Sequence, residues 1–480
     1  MQKFNIRLSL LIIIAFSIFS SQQAYSQINT MYFMDGIHQS NYTNPAFQSN
    51  CNGFIGLPAL STINFGVLNS GFTYKDLIHL GTGIYRDSLI LDVNNLKDKL
   101  GKNNYFMLET QIPILGIGFW AKDYYFTFDI SNKTKARISY PEDLIKLIDG
   151  NAKYIGTDNA LEINDVGPDF INYNEFAFGL SKRITHRLTV GAKLKILAGI
   201  ASIESKNSDL KLTTEDITYA MTLETDINLN TSLPLTYKRD EDGNIEGFEE
   251  YETSYIAKDL LSFKNFGLGM DFGATYQFND ELRLFASITD LGFISWKNNT
   301  VNLIQKGSFE YTGLNLDSAF VESDYSEFDA LTDSITNFFT FDETNSKYTT
   351  FLQSNIYIGA TYNITDFMNV GLLSRTYFYD RKIHQSATLS TNFAPVKWFS
   401  GTLSYSAMNR SYNNIGLGLA FKAGPTQFYI VTDNLNAAIW PKASKSINIM
   451  LGLNLNLGCG KRDDYSIINN KKSTKEVDFM

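Results

Sequence analysis

The sequence predicts an all-β fold, a transmembrane antiparallel β-barrel of about 14–16 strands with an N-terminal plug and short loop helices. Three observations predict it. An export leader is followed by no apolar run long enough for a membrane helix; long segments alternate apolar and polar residues one by one; and the connections between them alternate between tight turns and long loops. In hydrocarbon every backbone polar group must be paired within the protein, so a chain without membrane helices crosses only as a closed barrel.

The leader comes first. Lys3 and Arg7 precede an unbroken apolar run from Leu8 to Phe19, and a polar stretch closes on Ala24-Tyr25-Ser26. Small residues at Ala24 and Ser26 put the cut before Gln27, so residues 1–26 read as a secretory signal peptide, with an uncleaved anchor as the alternative. The run falls short of the roughly 20 residues a helix needs to span a bilayer. No cysteine stands at the cut, which argues against a lipid-modified N-terminus. The formal charge is −9, and removing Lys3 and Arg7 leaves −11, so nucleic acid is not an expected partner. The 36 Phe and 27 Tyr against 9 Pro suit long strands with aromatic girdles.

The strongest alternation lies near the end. Ile447, Ile449, Leu451, Leu453, Leu455 and Leu457 interleave with Asn448, Gly452, Asn454 and Asn456. A strand sorts such residues to opposite faces, whereas a helix would scatter them. The expected lipid face is therefore Ile449, Leu451, Leu453 and Leu455, with Asn454 and Asn456 inward, so arginine at Asn454 should be much milder than arginine at Leu453. The same pattern runs through 188–196, 383–393 and 399–407. Strands are expected near 105–112, 115–121, 124–137, 170–183, 187–199, 207–214, 217–229, 266–278, 281–296, 351–363, 367–379, 383–394, 398–408, 413–422, 425–433 and 446–458. That is sixteen, or fourteen if 105–121 is one unit or part of a plug. Tight turns at Thr185-His186, Asn279-Asp280, Thr365-Asp366, Pro395-Val396 and Gly424 contrast with long connections at 138–169, 230–265 and 297–350. Parity makes 297–350 one external excursion, because both chain ends of an even-stranded barrel lie in the periplasm. Domains follow: a plug or periplasmic segment at 27–104, the outer-membrane barrel at 105–458 and a charged periplasmic tail at 459–480.

Two loop helices are expected. Pro141 opens the first and Gly150 ends it; Leu331, Ile335, Phe338 and Phe339 space the second behind a cap at Ser326. Both read as structural lids, with ligand sites as the alternative. His38, His79, His186 and His384 have no partner at metal-ligand spacing, and no nucleophile elbow or phosphate loop occurs. Gly116, Gly118 and Ala121 mimic a dinucleotide fingerprint without the helix it requires. Asp240, Asp242, Gly243 and Asn244 resemble the start of a calcium loop, but Ile245 and Tyr251 stand where glycine and glutamate belong. The acidic run Asp317, Glu322, Asp324, Glu327, Asp329 and Asp333 reads as a solvated loop, with divalent ions as the alternative. No enzyme activity, metal or cofactor is expected.

Tyr32-Phe33-Met34, Asn44-Pro45-Ala46-Phe47 and Ile55-Gly56-Leu57-Pro58-Ala59-Leu60 resemble a Bacteroidota outer-membrane family, domain of unknown function 5723. Thr289-Asp290-Leu291-Gly292-Phe293-Ile294-Ser295-Trp296, Val431-Thr432-Asp433-Asn434-Leu435 and Gly452-Leu453-Asn454-Leu455 resemble its later landmarks. The Asn44-Pro45-Ala46 element is also similar to one in the long-chain fatty-acid transporter superfamily, to which the type IX secretion shuttle protein is related. That resemblance implies fourteen strands and an N-terminal segment folded into the lumen. The last strand departs from many porins in lacking a terminal aromatic end.

Residues 27 to about 60 are thus expected to enter or cover the periplasmic mouth, since Asn44-Pro45 breaks any strand and the segment is too polar to face lipid. Cys51 and Cys459 both fall on the periplasmic side and can meet as one disulfide in that oxidising compartment, or stay separate thiols. The leading expected function is binding or passage of a hydrophobic small molecule through a plugged barrel surrounded by outer-membrane lipid. The alternatives are a barrel that docks cargo or secretion-machinery proteins at its loops, and a purely structural barrel.

Overall fold

The computed structural model describes residues 29–235, 237–239, 245–248, 262–312, 338, 340–379, 382–408 and 411–459. The signal peptide, the acidic turn at 240–244, the acidic run at 317–333, the second expected helix apart from Phe338, and the tail beyond 459 lie outside the described residues.

Fourteen antiparallel strands close into one barrel. Strand β1 has two parts, Gly53–Gly56 and Ile63–Asn69, and is followed by β2 (Asn103–Ala121), β3 (Tyr124–Pro141), β4 (Gly167–Arg183) and β5 (Leu188–Thr214). Next come β6 (Asn265–Gln277), β7 (Leu282–Trp296), a two-part β8 (Tyr348–Phe351 and Asn355–Thr365), β9 (Met368–Tyr379) and β10 (Lys382–Val396). The ring ends with β11 (Phe399–Met408), β12 (Ser411–Ala423), β13 (Thr426–Thr432) and β14 (Ser446–Leu457). Both parts of β1 pair with β2 on one side and β14 on the other, which closes the ring. Turns at 122–123, 184–187, 278–281, 366–367, 397–398 and 424–425 gather at one end, and the long connections at the other.

The alternation sorts residues inside out. Along β6, Asn265, Gly267, Gly269 and Asp271 are buried, whereas Phe266, Leu268, Met270 and Phe272 are exposed. In β14, Asn448, Met450, Asn454 and Asn456 are buried, and Ile447 and Leu457 are exposed on the opposite face. A large apolar side chain left in water forgoes about 1.5–3 kcal/mol. A wall that repeats this choice around its circumference is built for lipid outside and polar groups inside, as a transmembrane barrel is.

Two expected boundaries move. The wall begins at Gly53, not 105, because a turn at 57–62 splits the first strand into pieces too short to show periodicity; Ser61 N–H donates to Leu57 O at 2.8 Å within it. The expected 27–104 unit therefore divides into an interior stretch ending near 52, a wall strand, and an outer connection at 70–102. The segments at 207–214 and 217–229 are not wall strands either. Residues 188–199 of β5 pair with β6, but 202–214 continue past the wall to pair with Met221–Ser232, which pairs in turn with Thr300–Tyr311. This blade projects from the long-loop end. Alternation reports a strand, not whether that strand lies in the barrel wall or beyond it. The segments at 105–112 and 115–121 are one strand with a register shift between Pro113 and Leu115.

Candidate functional site: a segment seated in the lumen

Residues 29–52 form two 3₁₀ turns, Thr30–Phe33 and His38–Tyr42, joined by irregular chain, and are largely buried. Their partners belong to inward faces on every side. Asn29 donates through Nδ2 to Ser386 and Thr388 of β10, Gln39 exchanges amide hydrogen bonds of 2.8 Å with Asn454 of β14, and Gln48 donates to Ser181 of β4.

Asn44-Pro45-Ala46 is the tightest seat. Asn44 is fully buried; its Nδ2 donates to Tyr32 Oη at 2.9 Å and reaches the carbonyls of Ala274 and Ala286, while its Oδ1 accepts from Ala46 N–H at 2.9 Å. Ser287 Oγ donates to Thr43 O at 2.7 Å. The wall makes room with glycine: a Cβ at Gly273 would overlap Asn44 Oδ1, and one at Gly191 would overlap the Pro45 carbonyl. Phe47 joins Tyr32 and Phe33 against Phe285, Tyr357 and Leu373 of the wall, with Tyr32 4.9 Å from Phe285 and 5.1 Å from Tyr357 between ring centroids. Met31, Met34 and Ile37 pack on Ala420, Tyr429, Val431 and Met450.

The start of the segment is held by Asp433, just past β13. Its carboxylate accepts from the backbone N–H of Asn29, from Thr30 N–H at 2.9 Å and from the Thr30 hydroxyl. Burial pushes that carboxyl up and the Thr30 donors oppose the shift. Arg375, 2% exposed, donates to Asn355 Oδ1 at 2.7 and 3.1 Å and to Asn29 Oδ1 at 3.4 Å, with its guanidinium over Tyr357 and Tyr377.

On the wall facing Tyr42 lies a paired ionic group. Lys195 Nζ is 2.7 Å from both Asp271 and Asp290, Lys133 is 2.7 Å from Glu175, and Lys193 is 3.6 Å from Asp129, to which Tyr42 Oη donates at 3.3 Å. Asp290 has φ 59°, its N–H donates to Asp271 Oδ1 at 2.7 Å, and the β6–β7 register shifts beside it. The bulge thus turns a carboxylate into the lumen to meet two lysines. Charges buried in a wall persist only when paired in this way. Among the described residues, no three His, Cys, Asp or Glu side chains converge in a group that could hold a metal ion.

At the short-turn end, the His38 ring stacks on Phe54 at 3.9 Å and its Nε2 meets Asn456 Oδ1 at 2.7 Å. Burial holds the imidazole well below its ordinary value, to about 3. Asp35 pairs with Arg283 at 3.1 Å, yet burial still raises its carboxyl. Cys51 and Cys459 are joined as a disulfide. Gly53 of β1 pairs with Leu457 of β14 directly beside it, so the bond fastens the seam where first and last strands meet.

Asn44, Pro45, Ala46 and Phe47 therefore share one seat, and the cysteines share one bond. The residues that complete the site were not singled out from sequence. Asp433 and Asp290 stood only within family landmarks, while Gly191, Gly273 and Arg375 gave no signal, since a glycine in an alternating strand reads only as a weak position.

The class defined by this geometry is a transmembrane β-barrel whose buried N-terminal segment bonds to its inward-facing residues. The chain belongs to the family of unknown function DUF5723, matched over residues 45–433. No curated protein matches. Among solved structures, it is similar to the toluene transporter TbuX of Ralstonia pickettii (10% identity over 88% of this chain and 94% of that one, TM-score 0.40). It is also similar to the toluene transporter TodX of Pseudomonas putida (8%, 91% and 95%, 0.37) and to a FadL homologue of Pseudomonas aeruginosa (10%, 91% and 99%, 0.38). At these scores the likenesses say nothing of what this chain carries.

Proposed function

We propose that the chain is an outer-membrane barrel whose lumen takes up small apolar molecules and is closed by its own N-terminal segment, with the short turns in the periplasm. One observation carries this reading. A water-filled barrel has a polar interior, but this wall points Phe285, Tyr357 and Leu373, and nearby Ala420, Tyr429, Val431 and Met450, inward. The segment covers them with Met31, Tyr32, Phe33, Met34, Ile37 and Phe47 as a built-in occupant. Withdrawal of the segment leaves apolar patches flanked by a few polar groups, the usual makeup of a small-molecule site. The reading needs no catalysis and no cofactor.

A second reading is a closed barrel that docks secreted cargo or a secretion-machinery component at its outer loops. The firmness of the seat around Asn44 and Asp433 favours it. Binding of the apolar fluorophore N-phenylnaphthylamine to nanodisc-embedded protein separates the two. The full chain and variants lacking residues 29–50 or carrying Gly273→Val are compared. Uptake predicts saturable binding that appears or tightens in both variants and is competed by a synthetic 29–50 peptide. Equal, non-saturable binding in all three supports docking.

A further inference from the structure

The connection between β1 and β2 carries an apolar face that no described residue covers. Ile78–Leu80 pairs with Leu89–Leu91 in register Ile78↔Leu91, His79↔Ile90 and Leu80↔Leu89. Residues opposite each other share a face, so Ile78, Leu80, Leu89 and Leu91 stand together. Leu80, Leu89 and Leu91 are 69%, 66% and 61% exposed, and Ile84 at the tip is 90% exposed beside Tyr85 at 59%. The base, by contrast, is firmly built. Thr73 and Asp76 form a capping box, Asp92 N–H donates to Leu77 O at 2.8 Å, Asn95 Nδ2 donates to Asp76 O at 2.7 Å, and Leu96 is buried. An isolated two-stranded hairpin is marginal in water, and one with this face needs a cover.

Its surroundings indicate which cover. The β13–β14 connection, which exposes Ile439 and Trp440, approaches the hairpin's base, where Lys442 Nζ lies 5.7 Å from the Tyr74 ring centroid. Both connections rise from the adjacent strands β14, β1 and β2. The outward residues at that rim are Ile447, Phe65 and Phe106, with Ile138 of β3 paired beside Phe106, all exposed and apolar. The apolar surface thus continues from the lipid-facing wall into the two connections. Trp and Tyr at its edge are the side chains that favour a membrane–water interface.

We propose that the 78–91 hairpin, together with Ile439 and Trp440, lies in the interface of the outer leaflet and anchors this rim of the barrel to lipid. The proposal rests on the wall spanning the membrane, and the experiment separates the two. An environment-sensitive fluorophore is attached at Ile84→Cys, at Leu453→Cys on the wall exterior and at Asp216→Cys on the exposed blade turn, in phosphatidylcholine vesicles. Each is quenched by shallow and deep spin-labelled lipid and by aqueous iodide. The Ile84 label should be quenched several-fold more by shallow lipid than by iodide, and the Asp216 label the reverse. If the Ile84 label follows the Asp216 pattern while the Leu453 label is quenched by deep lipid, the anchor is refuted and the barrel stands. If the Leu453 label is also reached only by iodide, both fall.

Discussion

Replacing Asp433 with alanine should free the start of the lumenal segment without opening the wall. The carboxylate accepts three hydrogen bonds, from Asn29 N–H, Thr30 N–H and the Thr30 hydroxyl, all buried. Bonds to a charged acceptor contribute about 1.5–3 kcal/mol each. Because the three share one group, their losses do not add, and a total of about 3–5 kcal/mol is expected. At about 1.4 kcal/mol per tenfold, the unseated population should rise by between a hundredfold and a few thousandfold. Amide hydrogen exchange of the 29–34 stretch in nanodisc-embedded protein reads this directly, with the strand amides of β13 and β14 as the internal control. Asp433→Asn should fall between wild type and alanine, since it keeps one acceptor oxygen. Unchanged exchange at 29–34 in Asp433→Ala, with β13 and β14 protected, would refute the assignment of Asp433 as the anchor.

Other outcomes follow from the same geometry. Arginine at Leu453 should destabilise the barrel by roughly 2–4 kcal/mol if it sits at the bilayer midplane, read as a lower urea midpoint in vesicles. Arginine at Asn454 should leave that midpoint near wild type but expose Gln39 and its neighbours to protease, because it displaces the paired amide of Gln39. His38 is held neutral when seated, with its folded value about 3 against 6.5 free, so seating is strongest above pH 6.5 and weakens as pH falls through that window. Asp35, raised by burial, acts with the opposite sign near the carboxyl range, so protection of 36–42, after correction for the intrinsic pH dependence of amide exchange, should fall between pH 7 and 5 in wild type and stay flat in His38→Gln. Cys51→Ser with Cys459→Ser should lower unfolding stability by about 2–5 kcal/mol and loosen the β1–β14 amides first; a loss confined to residues 29–50 would mean that the bond holds the segment and not the seam.

Much of the wall was legible because lipid imposes a strict rule on alternate residues. Ile449 to Leu455 and Asn454 to Asn456 sort by period alone. The blade was not, since 207–214 and 217–229 alternate just as well in strands that pair beyond the wall. The entry of Asn44-Pro45 into the barrel could be argued from a strand-breaking proline in a polar stretch, but its socket could not, because Gly191 and Gly273 matter only through what approaches them. The pairing of Asn454 could not be read for a similar reason: its partner Gln39 lies 415 residues away. The hairpin at 78–91 was absorbed into the expected plug because three-residue strands carry no readable period.

On the proposed function, the N-terminal segment closes a lumen that is otherwise continuous. Single-channel recording in planar lipid bilayers tests it most directly, comparing the full chain with one lacking residues 29–50. The full chain should show no steady conductance and the shortened one a stable open level, suppressed when the 29–50 peptide is added from the short-turn side. Equal conductance from the two chains, or none from either while both remain folded in the bilayer, would contradict it.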